Sequence, residues 1–276
     1  MSVKHGTGIR RSSGQGNGHH PHVTAGALSR HLDRRKVIGL IALGGTSAMA
    51  FAGSAGKLSV REVVVMLMNA RDSEPADLSH RDLSDLNLAD LDFNGADLTG
   101  SNLFGADLTG SNLEGANLSR AVLDRATLVR TRFAHATLQG ASMRRPNVFS
   151  DMRFDARDLP VFRNANLSGV NFTARLDGAD FSGADLSNAS FAIWQERDLG
   201  GAPTTGLARC NFTAARMRGI NMRGLSLRQS SFQNADLSDA DLRNTDLTGA
   251  DLTGAVLKGA KLDGAILEDV VGSTSP

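Results

Sequence analysis

Between residues 78 and 148 an apolar residue stands at every fifth position. The series runs Leu78, Leu83, Leu88, Phe93, Leu98, Leu103, Leu108, Leu113, Leu118, Leu123, Leu128, Phe133, Leu138, Met143 and Val148, fifteen positions without a miss. Two residues before these centres sits a mostly small residue, as at Ala96, Ser101, Ala106 and Ser111. Between the two stands Asp or Asn in many repeats, as at Asp97, Asn102 and Asp107. After the centre come Ser or Thr and then Gly, as in Leu98-Thr99-Gly100. The period resumes at Phe162, Leu167 and Phe172, slips by one at Leu176, and continues through Phe181, Leu186 and Phe191. It returns from Leu207 to Leu267 for thirteen more positions.

A period of five matches neither element of ordinary folds. On a helix it would scatter the centres around the whole circumference, and on a flat strand it would alternate them between faces. A chain that turns by about 90° every five residues keeps every centre inside. Four such units make a square coil of about twenty residues, and coils stack through backbone hydrogen bonds about 4.8 Å apart. The small residue fits the second inward position, where Leu or Phe leaves little room. Gly and Asn or Asp are assigned to the corners, which need a permissive backbone. Roughly eight coils fit, a stack about 40 Å long.

The segments Gly95-Ala96-Asp97-Leu98-Thr99 and Gly249-Ala250-Asp251-Leu252-Thr253 carry the pattern at every position. Repeats of this A(D/N)LxG form resemble the pentapeptide repeat family over about residues 76–269, with breaks. The resemblance implies an all-β fold, the right-handed quadrilateral parallel β-helix, and a repeat module without catalytic activity. It also implies an alternative to a scaffold role, since some members protect a type II topoisomerase from quinolones, an acidic rod standing in for the DNA duplex.

The flanks of the repeat follow other rules. Residues 58–70 form a long apolar run with Ser59 and Glu62 at capping-box spacing, which predicts a short helix within 57–72 that covers the first coil. The β-branched run Val63-Val64-Val65 leaves a strand as the alternative. Residues 1–56 read as a leader, Gly-, Ser- and His-rich and disordered over 1–31. Arg34, Arg35 and Lys36 precede an uncharged stretch and the small-residue patterns Ala48-Met49-Ala50 and Ala50-Phe51-Ala52, which together make an export signal. The paired Arg34 and Arg35 resemble a twin-arginine signal, with Asp33 and Val37 departing from its usual residues. The expected location is the periplasm or beyond. An uncleaved inner-membrane anchor and a cytoplasmic chain are the alternatives. Contact with a membrane is expected only through an uncleaved leader.

Two interruptions break the repeat domain of 73–270, near 144–161 and 192–206, and residues 271–276 form a tail. The first carries Arg144, Arg145, Arg153 and Arg157, the second the sole Trp194. Loops on a rigid scaffold often hold function, so these five are the candidate contact residues. An insertion that merely packs against the coils is the competing account. Cys210 falls on an inward small position and is expected to be a buried, inert thiol. His80 and His135 fall at corners without a nucleophile or acid set around them. His19, His20 and His22 are read as tail, and the recurring Asp residues as a solvated array. No catalytic residue, metal site, cofactor or small-molecule substrate is expected.

Charge adds one correction. The 276 residues hold 30 Lys and Arg against 29 Asp and Glu, a net of +1, so direct nucleic-acid binding is not expected. That balance conceals +6 over residues 1–52, −7 over 53–119, +6 over 120–175, +1 over 176–233 and −5 over 234–276. An Arg-rich middle between acidic ends can dock to an acidic surface or to a second copy. The uncovered last coil suggests a homodimer formed through that end. The function expected is a non-enzymatic interaction scaffold with an unknown protein partner.

Overall fold

The computed structural model describes residues 56–71, 73–150, 155–191 and 205–272. Arg34, Arg35, the leader histidines, Arg153 and Trp194 lie outside them. The described chain is one short helix followed by a right-handed quadrilateral parallel β-helix.

Helix α1, Val60–Asn69, starts where the capping box sets it. The Ser59 hydroxyl accepts the Glu62 N–H at 3.3 Å, and the Glu62 carboxylate accepts the Ser59 N–H at 2.7 Å. These bonds hold the Glu62 carboxyl below its ordinary range. Just before the helix, Lys57 pairs with Asp82 in the first coil. Val63 is fully buried, and Met66 and Leu67 pack against the core. The helix therefore covers the apolar end that a solenoid would otherwise expose.

Each coil is a square, and its sides pair in parallel with the coil above. Sides are numbered from the column that begins at Asp77, and each corner takes the number of the side it follows. The first column joins residues 77, 97, 117, 137, 166, 185, 216, 236 and 256, which makes nine levels rather than the eight expected from length. Most pairings are single residues. One pair reaches strand length, β1 at Ser142–Arg144 and β2 at Asn171–Thr173, with Met143 opposite Phe172. Bonds run both ways between levels: the Leu78 N–H donates to the Asp97 carbonyl at 2.7 Å, and the Asp97 N–H donates to the Ala76 carbonyl at 2.9 Å.

The inward positions are the expected ones. The Leu, Phe and Met centres and the small residues two before them are buried over most of the stack. On side four the rings of Phe133, Phe162, Phe181, Phe212 and Phe232 stack nearly parallel, 5.1–5.2 Å between centroids. Hydroxyls at the small position bond back to the chain: Ser111 donates to the Leu88 carbonyl at 2.8 Å and Thr131 to the Leu108 carbonyl at 2.9 Å. At the far end the ninth level has no cover among the described residues, and its inward Leu267 is 37% exposed.

The corner assignment needs correcting. The Asp or Asn before each centre lies in the middle of a side, not at a corner. Its carboxylate or amide oxygen accepts the N–H two residues on, as from Thr99 to Asp97 at 2.9 Å, and so ties the side to the turn that follows. The true corner residue stands two after the centre and has positive φ. Gly fills many of these places, yet Arg120, Arg125, Arg130 and His135 occupy all four corners of the third coil with φ of 56–60°.

The spacing between paired residues locates both interruptions. It is 20 through the third level, then 29 from Arg132 to Val161, 19 from Val161 to Asp180, and 31 from Ser190 to Asn221. The first break is narrower than 144–161. Arg144 belongs to β1, and Asn147 still pairs with Thr127. The Asp158 carbonyl accepts the Arg130 N–H at 2.7 Å, the place residue 149 would take in an unbroken coil, so the extra residues are 149–157. They leave from corner three. The second insertion leaves from corner two, between Ser190 on side two and Gly206 on side three.

Candidate interaction surface

A solenoid whose interior is filled by Leu and Phe holds no ligand inside, so binding falls to its sides, corners and ends. Side three stands apart from the others because both insertions emerge at the corners that flank it. Each insertion rejoins the coil at a buried aspartate. Asp158 accepts the N–H and hydroxyl of Ser150, and Asp177 accepts the Ala208 N–H at 2.9 Å. A buried carboxylate needs such partners, and here they fix the two loop bases to the stack.

The arginines of the coils divide by side. Arg132, Arg163 and Arg216 lie away from side three and form ion pairs with Glu114, Asp180 and Asp185 at 2.7–3.0 Å. Near side three, Arg175, Arg228 and Arg243 pair with Asp177, Asp246 and Asp241. The Arg243 guanidinium holds the Asp241 carboxyl down to about 2. Burial pushes the Asp180 carboxyl up, but bonds from Ser182 and Arg163 prevail and hold it below its ordinary range. Arg125 lies over the ring of Phe104, 5.7 Å from its centroid, and that ring is 39% exposed.

The residues expected to make contact are not brought together as one loop. Arg144 and Arg145 sit in the coil at corner two, on and just after β1. Arg157 lies in the first insertion, in the short 3-10 turn Ala156–Asp158, with its guanidinium on Asp155 at 2.6 Å. Arg125, Arg130, Arg209 and Arg223 were not among those expected, although all four are exposed at corners two and three. Wrapping the sequence onto a square, with the two insertions and the one-residue slip allowed for, would have found them.

Other chemical candidates resolve into structure. Burial pushes the Cys210 thiol up to about 12, and its Sγ donates to the Leu176 carbonyl at 3.1 Å. His80 leans over Gly100 of the next coil. Asp77 stacks on Asp97 and Asn87 on Asp107, one level apart, and among the described residues no cluster of His, Cys, Asp or Glu has the form of a metal site. A shallow open groove of about 500 Å³ runs along corner one, over Gly140 and Gly169 between Arg120 and Asn188. Its Ser119 and Ser168 hydroxyls already donate to Asn117 and Asn166 at 2.7 Å. Among the described residues no helix is long and apolar enough to cross a membrane.

Comparison with known proteins bears on the repeat itself. A family model described as pentapeptide repeats matches eight copies, over residues 76–110, 106–145, 161–192, 207–244 and 230–269. No curated protein sequence matches the chain. Among solved structures, HetL, a pentapeptide repeat protein involved in heterocyst differentiation regulation from the cyanobacterium Nostoc sp. strain PCC 7120, is 30% identical. That match covers 70% of this chain and 76% of HetL, with a TM-score of 0.34. A pentapeptide repeat protein of the Arabidopsis thaliana thylakoid lumen is 25% identical over 44% of this chain and 70% of its own, with a TM-score of 0.24. QnrB1, a plasmid-mediated fluoroquinolone resistance protein, is 18% identical over 65% of this chain and 82% of its own, with a TM-score of 0.29.

Proposed function

The chain belongs to the pentapeptide repeat family, and we propose that it serves as a non-catalytic scaffold that binds another protein through the outer surface of its coils. One observation carries this reading: the interior is filled, while both insertions leave and rejoin the described coils at the corners that flank a single side. A rigid stack with an insertion at each corner that borders one side suits the capture of a macromolecular surface. Among the described residues the open groove at corner one offers no enclosed site for chemistry on a small molecule. The test is a photo-crosslinking residue placed at Asn147 or Ser226 on side three, and at Thr137 on side one, in the producing cell. Discrete adducts with another polypeptide from side three support the reading, and their absence from both probed sides overturns it.

Export is part of the proposal and rests on Arg34, Arg35 and the small-residue patterns that follow. Fractionation with N-terminal sequencing tests it: a full-length cytosolic chain counts against export. Homodimerisation through the ninth coil is proposed from Leu267, which is 37% exposed, and from an edge without a partner among the described residues. A monomeric mass by light scattering at high concentration overturns that part. Mimicry of DNA toward a topoisomerase fits less well, because exposed arginines interrupt any continuous acidic side. The expected outcome in a gyrase supercoiling assay with and without a quinolone is no effect at micromolar protein.

A further inference from the structure

Among the described residues from Ala76 onward there are sixteen arginines, fifteen on the sides and corners of the coils and Arg157 in the first insertion. Six of them, Arg120, Arg125, Arg130, Arg144, Arg209 and Arg223, form no ion pair with any described residue. All six are exposed. Their placement is uneven: Arg125, Arg144 and Arg223 stand at corner two, and Arg130 and Arg209 at corner three. Five of six unpaired guanidiniums therefore border side three, the side that carries both insertions, and only Arg120 lies elsewhere.

Carboxylates interspersed among them are already engaged. Asp124 accepts the Ser142 hydroxyl at 2.6 Å and the Arg144 N–H at 2.8 Å. Asp158 is held by Ser150, and Asp177 by Arg175 and Ala208. Among the described residues the positive charge of this side is thus not cancelled locally. Exposed charges held without partners contribute little to folding, and their value lies in steering and orienting a partner of opposite sign.

The extent of the basic run selects the partner. It covers the third to the seventh level, about 19 Å at a strand spacing of about 4.8 Å. On the same corners it is bounded by Asp90 at the first level, beside an Asp85 that pairs with Lys57 at 3.8 Å, and by Asp263, Glu268 and Asp269 at the ninth. A nucleic-acid duplex or an anionic membrane laid along side three would meet those carboxylates at both ends. A bounded acidic patch on a protein would not. Phe104, exposed beside Arg125, adds an apolar contact at the edge of the run.

We infer that side three with its two corners is the docking face, and that its partner is a protein presenting a compact acidic patch. The inference rests on the scaffold reading above and adds the chemistry of the partner. The probe is an octaglutamate peptide titrated onto the full chain at low and physiological salt. Arg125→Asn, Arg144→Gln, Arg209→Asn and Arg223→Gln are combined in one variant, Asn being chosen where φ is positive. Arg132→Gln, Arg163→Gln and Arg216→Gln make the control. The first variant should bind the peptide about tenfold more weakly, and the control should stay within about twofold of the parent. Both should keep the parent's thermal midpoint to within a few degrees. Equal losses in the two variants overturn the inference, as does no loss in the first. A greater loss for a DNA duplex or for phosphatidylserine vesicles than for the peptide also overturns it. Cross-links from side three with unchanged peptide binding would leave the scaffold reading intact and remove only the acidic partner.

Discussion

The first three coils and the next three obey different sequence rules and yet share one interior. Within residues 77–136 the levels pair with one another at a spacing of 20. The second coil has Gly at all four corners, Gly100, Gly105, Gly110 and Gly115. From 137 to 215 the spacing runs 29, 19 and 31, and two insertions leave the stack. The stacked rings pass through this disturbed region without a break, Phe133 to Phe162 to Phe181 to Phe212. The comparison teaches that register is held by columns. A corner can absorb nine extra residues, because the next side still finds its partner one level below. Even the shortened corner after Phe172 is stitched, the Arg145 N–H donating to the Thr173 carbonyl at 2.9 Å and to its hydroxyl at 3.1 Å.

If stacked Phe rings hold the interrupted coils together, removing one should cost more there than removing Leu from a regular coil. Phe181 contacts rings above and below at 5.1 and 5.2 Å, and meets Phe191 edge-on at 6.1 Å. Phe181→Ala is expected to cost about 3–5 kcal/mol. Leu103→Ala in the second coil is expected to cost about 2–3 kcal/mol. Equilibrium unfolding in guanidinium measures both. An equal or larger loss for Leu103→Ala would mean that the rings add nothing beyond their burial.

The inner half of the fold was legible in the sequence because it is periodic. A five-residue repeat of Leu and Phe with a small residue two before it admits no helix and no flat sheet. The outer half was not legible to the same degree. Asn and Asp serve two purposes in this chain, capping a turn from mid-side at Asp97 and filling a corner at Asp85, and one residue type cannot tell them apart. The first insertion was placed too early because Arg144, Arg145 and Pro146 look like a loop, whereas Met143 and Val148 keep them in the coil. The sorting of unpaired arginines onto one side was hidden because it depends on insertion lengths of nine and eleven residues, which shift every later residue around the square.

Acid should separate the two regions next. In the interrupted coils, burial pushes the Asp185 carboxyl up. Bonds from Ser187 and the charge of Arg216 prevail, and it remains below its ordinary range, as does Asp180. In the first coils the lowered carboxyls of Asp77 and Asp82 depend chiefly on Ser79 and Ser84. All four are depressed on folding, so their contribution is present above the unfolded value near about 3.9 and is lost as pH falls through the folded values. The thermal midpoint should be level down to about pH 5 and decline between about pH 4 and pH 2. Arg163→Gln with Arg216→Gln should flatten that decline. A variant curve parallel to the parent would show that the ion pairs of these coils contribute nothing to it.

A smaller effect distinguishes the corners. At Gly105, φ is +66°, and a Cβ would stand 2.4 Å from Oδ1 of Asp85 in the coil before it. At Gly169, φ is +67° and nothing lies within 4 Å. Gly105→Ala carries both strain and collision and should cost about 2 kcal/mol, while Gly169→Ala carries strain alone and should cost about 1 kcal/mol. The double variant Gly105→Ala with Asp85→Gly, which keeps the positive φ of Asp85 without strain, should recover the difference in a thermal melt. Persistence of the larger cost would place it in the backbone and not in the Asp85 contact.

The smallest effect is expected where the sequence looks most disturbed. Deleting residues 149–157 joins Val148 to Asp158, whose carbonyl keeps its bond from Arg130. The deletion also removes Ser150, the donor to the buried Asp158 carboxylate, so it is combined with Asp158→Ser, the residue found after the centre at Ser168 and Ser187, and with Leu159→Gly, because Leu159 at φ −66° becomes the corner residue. Lost burial of Phe149 is offset by a shorter loop to close. The net change should stay within about 1 kcal/mol, far below the cost at Phe181. Side-three cross-links, in contrast, should weaken or change partner. A deletion that unfolds the chain would show the insertion to be part of the core, and the column rule would fail at the place where it was inferred. A stable deletion with unchanged cross-links would keep the column rule and move the contact to the second insertion at corner two.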